Sequence, residues 1–214
     1  MFEYFGYIAL GVLGTVGVTF GALAIGTVVG MPLAWLRRSR HAIVRMPAVA
    51  VIEVLRGVPN LVWLFLVFFG LPQIGIRLDP WSSAILTLGV ASAAHIAEIY
   101  RGGLAGLSRG QWEASDALGL SRMDRRRLIV LPQMQRVIVP TMATYAIGLL
   151  KDSALASTIG VVELTFRGGV VTQRTGDGLT TFLVVGVVYL LLSLPLALAA
   201  RRVDSRMRAK FSVG

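Results

Sequence analysis

Two short polar stretches hold most of the side chains in this sequence able to do chemistry. The first is Lys151-Asp152-Ser153, directly after an apolar run that ends Leu149-Leu150. Ionisable groups at membrane depth are costly and often mark a substrate path. The plainer alternative is that Lys151 snorkels to the interface and pairs with Asp152. The second stretch runs from Gln111 to Pro132. It contains Glu113-Ala114-Ser115-Asp116-Ala117-Leu118-Gly119 and, after nine further residues, Ile129-Val130-Leu131-Pro132. Ser108 and Gln111 stand at capping-box spacing, so a helix is predicted from about Arg109. Gly119 is able to end it, because glycine accepts the left-handed conformation at a helix C-terminus. Ser121 and Asp124 repeat the capping spacing, and a second helix is predicted toward Leu131 before Pro132 disturbs it. The expected shape is a two-helix knob with a sharp corner, or else an ordinary amphipathic loop helix.

Several chemistries are excluded. Asp116, Ser121 and Asp124 share a polar loop and form no nucleophile–base set at membrane depth. His95-Ile96-Ala97-Glu98 is not a zinc-protease signature, and no second histidine or carboxylate stands at metal spacing. His95 is expected to be a packed, hydrogen-bonded side chain. No G-x4-G-K-[ST] phosphate loop occurs, and no Gly-Lys pair exists anywhere in the chain. Cysteine is absent, which leaves no disulfide framework or thiolate metal site.

The elements that must position the polar stretches are greasy. The chain has 214 residues, 55% of them hydrophobic, and a mean hydropathy of +0.73. Residues 4–36, 57–76, 80–97 and 178–200 contain no Asp, Glu, Lys or Arg, and 128–150 contains only Arg136. About 20 apolar residues in a helix cross a hydrocarbon core of about 30 Å, so five transmembrane helices are predicted. The first run would extend roughly 50 Å as one helix, so part of it tilts or lies at the interface. With only Glu3 charged before it, this run lacks the basic start of a cleaved signal peptide.

The formal charge of +10 invites a nucleic-acid reading, but its distribution opposes one. Arg37, Arg38, Arg40 and Arg45 follow the first run. Arg101, Arg109, Arg122, Arg125, Arg126 and Arg127 lie between the third and fourth, and Arg201, Arg202, Arg206, Arg208 and Lys210 follow the fifth. The alternate connections hold Arg77, and Arg167 with Arg174. This positive-inside asymmetry predicts an external N-terminus and a cytoplasmic C-terminus. The knob then lies on the cytoplasmic side. No internal repeat is apparent, and residues 1–214 are read as one membrane domain with a cytoplasmic loop at about 101–131.

Within the spans, glycines at 6, 11, 14, 17, 21, 26 and 30 allow close helix packing in lipid. Glu53 and Arg56 stand three apart ahead of Pro59, and Glu98 and Arg101 repeat the spacing. Both are expected to pair at the interface. Ile159 to Thr181 is glycine-rich and polar, and is expected to form an outward-facing loop or partial helix.

The pattern E-A-S-x3-G-x9-I-x-L-P resembles the "EAA loop" of permease subunits of ATP-binding-cassette importers, with Ser115 in place of the second alanine. "VIEVLRGVPNL" and "AAHIAEIYRGGLAGLSRGQWEA" resemble polar amino-acid permeases of the histidine/glutamine/glutamate type, His95 replacing their usual tyrosine. Lys151-Asp152-Ser153-Ala154-Leu155 is similar to their K-D-T-S-L. The resemblance covers roughly residues 45–165. It implies the type I importer permease fold, an all-α membrane protein of five helices. It also implies that Gln111, Glu113, Ala114, Ser115, Asp116 and Gly119 form a coupling helix docking on an ATPase.

The expected partners are a dimer of ATP-binding subunits carrying the ATP and Mg, a second permease chain (identical or different) and an external solute-binding protein. The binding protein is expected to touch the 159–181 segment. No cofactor is expected in this chain, and no enzyme activity. Lys151 is then expected to bind a substrate carboxylate, with Asp152 or Ser153 orienting the site. Where relatives carrying cationic amino acids resemble Asn-Glu, this chain has Thr144-Tyr145. That favours glutamate, glutamine, another neutral polar amino acid or a zwitterion such as ectoine. The rival is an ion-gradient-driven secondary transporter. It explains the Lys151–Asp152 pair and a broken second span, but not the EAA-like loop.

Overall fold

The computed structural model describes residues 2–106 and 109–209, and the described residues form helices joined by short turns. Ser108 and Lys210 lie outside the described residues. Helices α1 (Phe2–Ala9) and α2 (Val12–Arg37) follow one another, and Tyr4–Arg37 forms a single apolar stretch of 34 residues. Helix α3 (Ala42–Gly57) meets α4 (Asn60–Phe65) at Pro59. The α4 direction continues through a π turn, Leu66–Gly70, and a 3-10 turn, Leu71–Ile74. Helix α5 (Pro80–Ala105) precedes α6 (Arg109–Ala117) and the single turn α7 (Arg122–Asp124). A second π segment, Arg125–Val130, leads into α8 (Leu131–Asp152) and a 3-10 run, Ser153–Ile159. Helices α9 (Leu164–Thr175) and α10 (Gly178–Ala209) complete the order.

Among the described residues, three helices are long and apolar enough to cross a membrane, and two bent pairs raise the number to five if each pair is one span. The second predicted span differs from expectation. Its helix begins only at Asn60 and turns by 100° from α3. Proline at 59 lacks the N–H that would continue α3, and its ring pushes Val58 out of the helical region to φ −98°, ψ 134°. What remains to Ile74 is about 22 Å of helix, shorter than a hydrocarbon core.

Proline does not stop the fourth span either. Both π segments end two residues before a proline, Gly70 before Pro72 and Val130 before Pro132. A proline ring crowds the carbonyl four residues back, and the helix widens ahead of it instead of ending.

Helix α5 is central: 61% of its apolar window is buried, against 17% for α10. Glycines bring α2 onto α5. A Cβ at Gly26 would stand 2.6 Å from the Ser92 Cβ, and one at Gly30 2.9 Å from the Ala93 carbonyl oxygen. The main apolar cluster joins Val18, Ala22, Leu64, Leu88, Leu149 and Ile159.

At the end away from the arginine clusters, α9 is the partial helix expected between Ile159 and Thr181. It is tied down by Glu163, a fully buried carboxylate. Glu163 caps α9 by accepting from Phe166 N–H at 2.8 Å, and accepts from Tyr189 Oη at 2.7 Å and Thr15 Oγ1 at 3.3 Å. Exposed Asp79 caps α5, and the hydroxyl of Ser82 beside it holds its carboxyl below the ordinary range.

Candidate functional site

The interfacial pairs expected at 53/56 and 98/101 belong to one larger network. Arg37, in the last turn of α2, places Nη1 2.7 Å from Glu98 Oε1 and 3.4 Å from Glu53 Oε1. Arg101 Nε donates to Glu98 Oε2 at 2.8 Å. The Glu53–Arg56 approach is the loosest, at 4.0 Å. Five charges from α2, α3 and α5 thus meet at one end of the bundle. Arg37 is the hub. Sequence reading counted it as topology and missed this role, because the contact exists only once α2 packs along α5.

Beside this network a cleft of about 430 Å³ opens between α5 and α8. Arg56, His95, Glu98, Thr141, Thr144 and Tyr145 line it. Tyr145 donates its hydroxyl to Ser92 Oγ at 2.9 Å, and the His95 ring stacks on Tyr145 at 5.4 Å with a 28° interplanar angle. His95 is packed, as expected, but its ring makes no hydrogen bond among the described residues. The cleft therefore has an aromatic wall, whose tyrosine hydroxyl is anchored on the buried Ser92 behind it, and an opposite-charge rim. Such a mixture of apolar surface and few polar groups suits a small zwitterion.

Thr144 and Tyr145 reach this cleft; Lys151, Asp152 and Ser153 do not line it. The Lys151–Asp152 pair does not form. Asp152 instead accepts from Asn60 Nδ2 at 3.0 Å, which joins the end of α8 to the start of α4. Ser153 is fully buried, and its hydroxyl donates to the Leu150 carbonyl at 2.7 Å. Lys151 is exposed. It lies seven residues beyond Thr144, two turns along the same helix face, with Thr141 and Gly148 on that face and also exposed. Asn60 and Ser92 are the partners that sequence reading did not name. Asn60 was visible as the polar residue after Pro59; Ser92 carried no signal.

The knob has the predicted corner. Gly119 adopts φ +64°. Its N–H donates to the Asp116 carbonyl at 3.0 Å and that of Leu120 to the Ser115 carbonyl at 3.2 Å, the two bonds of a Schellman cap. Ser121 Oγ accepts from the Asp124 N–H at 3.1 Å and starts the next turn. Gln111, Glu113, Ala114 and Asp116 are exposed. Ser115, which stands where the motif has alanine, is fully buried and satisfies its hydroxyl on the Trp112 carbonyl at 2.7 Å. Arg125 pairs with Asp116 and lies 5.8 Å over the Trp112 ring, while Gln133 bonds to Gln111. These contacts fix α6 to the segment entering α8.

A helical bundle with broken spans, a cleft between two of them and a capped knob at the arginine-rich end is the architecture of a membrane permease. The chain is similar to a crystal structure of an amino acid ABC transporter, with a TM-score of 0.90 over 96% of both chains at 29% identity. An inward-facing structure of the MetNI methionine ABC transporter shares the fold, with a TM-score of 0.75 at 24% identity over 94% of this chain and 95% of that one. The profile of the "binding-protein-dependent transport system inner membrane component" family matches residues 26–209. The chain belongs to this family, as an inner-membrane permease subunit of amino-acid ABC importers, and ATP hydrolysis is the task of a separate ATPase.

It is 37% identical to the probable amino-acid ABC transporter permease YckA of Bacillus subtilis, over 87% of this chain and 83% of that protein. It is 35% identical to the glutamine transport system permease GlnP of Escherichia coli K12, over 91% of this chain and 90% of that protein.

Proposed function

We propose that this permease imports a neutral or acidic polar amino acid, glutamine or glutamate foremost, or a zwitterion of similar size such as ectoine. The observation that carries the reading is Tyr145 in the cleft wall, bonded to Ser92 and stacked on His95. A tyrosine there supplies a hydroxyl for a polar side chain and no counter-charge for a cationic one. The glutamine transport named for two relatives, in Escherichia coli and Bacillus subtilis, supports this class of cargo.

In this reading the N-terminus is external and the C-terminus cytoplasmic, on the arginine asymmetry. An external binding protein delivers cargo near α9. A second permease chain covers the face of α8 bearing Thr141, Thr144 and Lys151, which is too polar to meet lipid. Lys151 then attracts the substrate carboxylate along the pathway between the two chains, and Asp152 with Asn60 holds the helix end in place. Gln111, Glu113, Ala114 and Asp116 on α6 dock on a dimer of ATPase subunits, which hold ATP and Mg; this chain needs no cofactor of its own. Residues 1–214 act as one domain, moved through the loop at about 101–131. Uptake of labelled glutamine into proteoliposomes holding the whole complex, competed with unlabelled amino acids, tests the assignment. Competition by glutamate or glutamine but not arginine is expected; competition by arginine and lysine alone would overturn it.

A further inference from the structure

The region between α2 and α3 has no task in the transport scheme, yet it combines three unusual properties. From Arg38 to Ile52 there is no acidic residue, while Arg38, Arg40 and Arg45 are all exposed. Unlike Arg37, these three form no ion pair among the described residues. Helix α3 is also sharply amphipathic. Ala48 and Ile52 pack inward, Arg45 and Arg56 share one flank, and Ile43, Met46, Ala50 and Val54 form an exposed apolar strip on the other. Ile43 is 89% exposed and Met46 and Val54 are more than half exposed, so the described residues leave the strip largely uncovered.

Because α3 turns 100° from α4, it cannot run parallel to the short apolar segment that α4 begins. An amphipathic helix that crosses a span nearly at right angles, basic at one end, has the form of an interfacial helix. At the elbow between α3 and α4, a groove of about 340 Å³ is lined wholly by apolar residues and Trp63: Ala50, Val51, Val54, Leu55 and Trp63. The indole N–H of Trp63 is buried without a partner.

We infer that α3 lies in the headgroup layer and holds an anionic phospholipid, with the phosphate on Arg38, Arg40 and Arg45 and an acyl chain in the α3–α4 groove. Charge selects the ligand. Three unpaired guanidiniums match a net-negative headgroup and favour it over a zwitterionic one, by bidentate phosphate contacts. Arg45 lies about 7.5 Å along the helix from Ala50 and on its other flank, so the headgroup sits at the polar edge of α3 while an acyl chain passes down its apolar side to the groove. The inference requires only that this end meets a membrane surface, and does not depend on the cargo.

The test uses the complex that co-purifies with this chain, reconstituted in nanodiscs of equal parts phosphatidylglycerol and phosphatidylcholine, with retained lipid counted by native mass spectrometry. Preferential retention of phosphatidylglycerol is expected. The triple variant Arg38→Gln, Arg40→Gln, Arg45→Gln should lower it several-fold. Ala50→Phe, which fills the groove, should lower it with the arginines intact. All four positions are exposed, so an unchanged unfolding midpoint separates lipid loss from misfolding. Equal retention of both lipids by the unaltered chain, or retention untouched in either variant, would overturn the proposal. Loss of the ATPase from the triple variant at constant lipid count would overturn it too, by making the cluster a protein contact.

Discussion

Arg37 and Glu98 approach to 2.7 Å across the α2–α5 interface, with side chains only 19% and 16% exposed. Both charges are largely removed from water, and Glu98 also holds Arg101. Removing one member leaves the other desolvated and short of a partner. Arg37→Gln should therefore cost about 1.5–3 kcal/mol. A double-mutant cycle with Glu98→Gln, read by thermal unfolding in detergent, should recover part of that loss. Strict additivity would mean that the two side chains do not interact.

Gly119 is the corner of the knob. Alanine there must adopt a left-handed conformation, at roughly 1–2 kcal/mol. Proline is barred from it and also loses the N–H that meets Asp116. Gly119→Pro should leave cargo binding intact and abolish ATP-driven uptake, whereas Gly119→Ala should reduce uptake only partly. Full uptake by the proline variant would remove the corner from coupling.

Tyr145 sets cargo charge in the proposed scheme. Tyr145→Glu adds an acid to the cleft beside Thr144. The variant should lose glutamine uptake and gain competition by arginine. An unchanged competition profile would place the selectivity elsewhere.

Lys151 is exposed and has no ion-pair partner among the described residues, so its loss should barely alter stability. Lys151→Ala is expected to raise KM for a carboxylate-bearing cargo by about tenfold, the effect of one charge-assisted hydrogen bond. Transport with unaltered KM and rate would take it off the pathway.

Asp79 and Asp177 cap α5 and α10, and hydrogen bonds to Ser82 and Thr180 depress both carboxyls. A depressed pKa stabilises the fold above the unfolded value of about 3.9 and loses that contribution as pH falls through the folded one. The unfolding midpoint of the unaltered protein should fall with acid below about pH 4, and Asp79→Asn should flatten the slope. An identical slope in the variant would show that the cap does not titrate.

Much of this was legible along the chain. Apolar runs and arginine placement mark the spans, and the Gly119 corner follows from local spacing because its hydrogen bonds close within a few residues. The site was harder. Tyr145 meets Ser92, Asp152 meets Asn60 and Arg37 meets Glu98 only after helices distant in sequence pack together, and the glycines that permit this packing do not specify register. The 100° elbow at Pro59 was half visible: a break was expected there, but not that α3 would swing away and leave a short second span. Pro132 misled locally, since its strain passes into a π turn upstream instead of ending the helix.

The most direct test of the central claim is ATP hydrolysis by the complex that co-purifies with this chain in mild detergent, measured with and without the external binding protein and single amino acids. Hydrolysis that rises only when the binding protein and one polar amino acid are present together is the predicted result. A chain that purifies alone, inert to ATP yet driving gradient-coupled uptake in vesicles, would contradict the account.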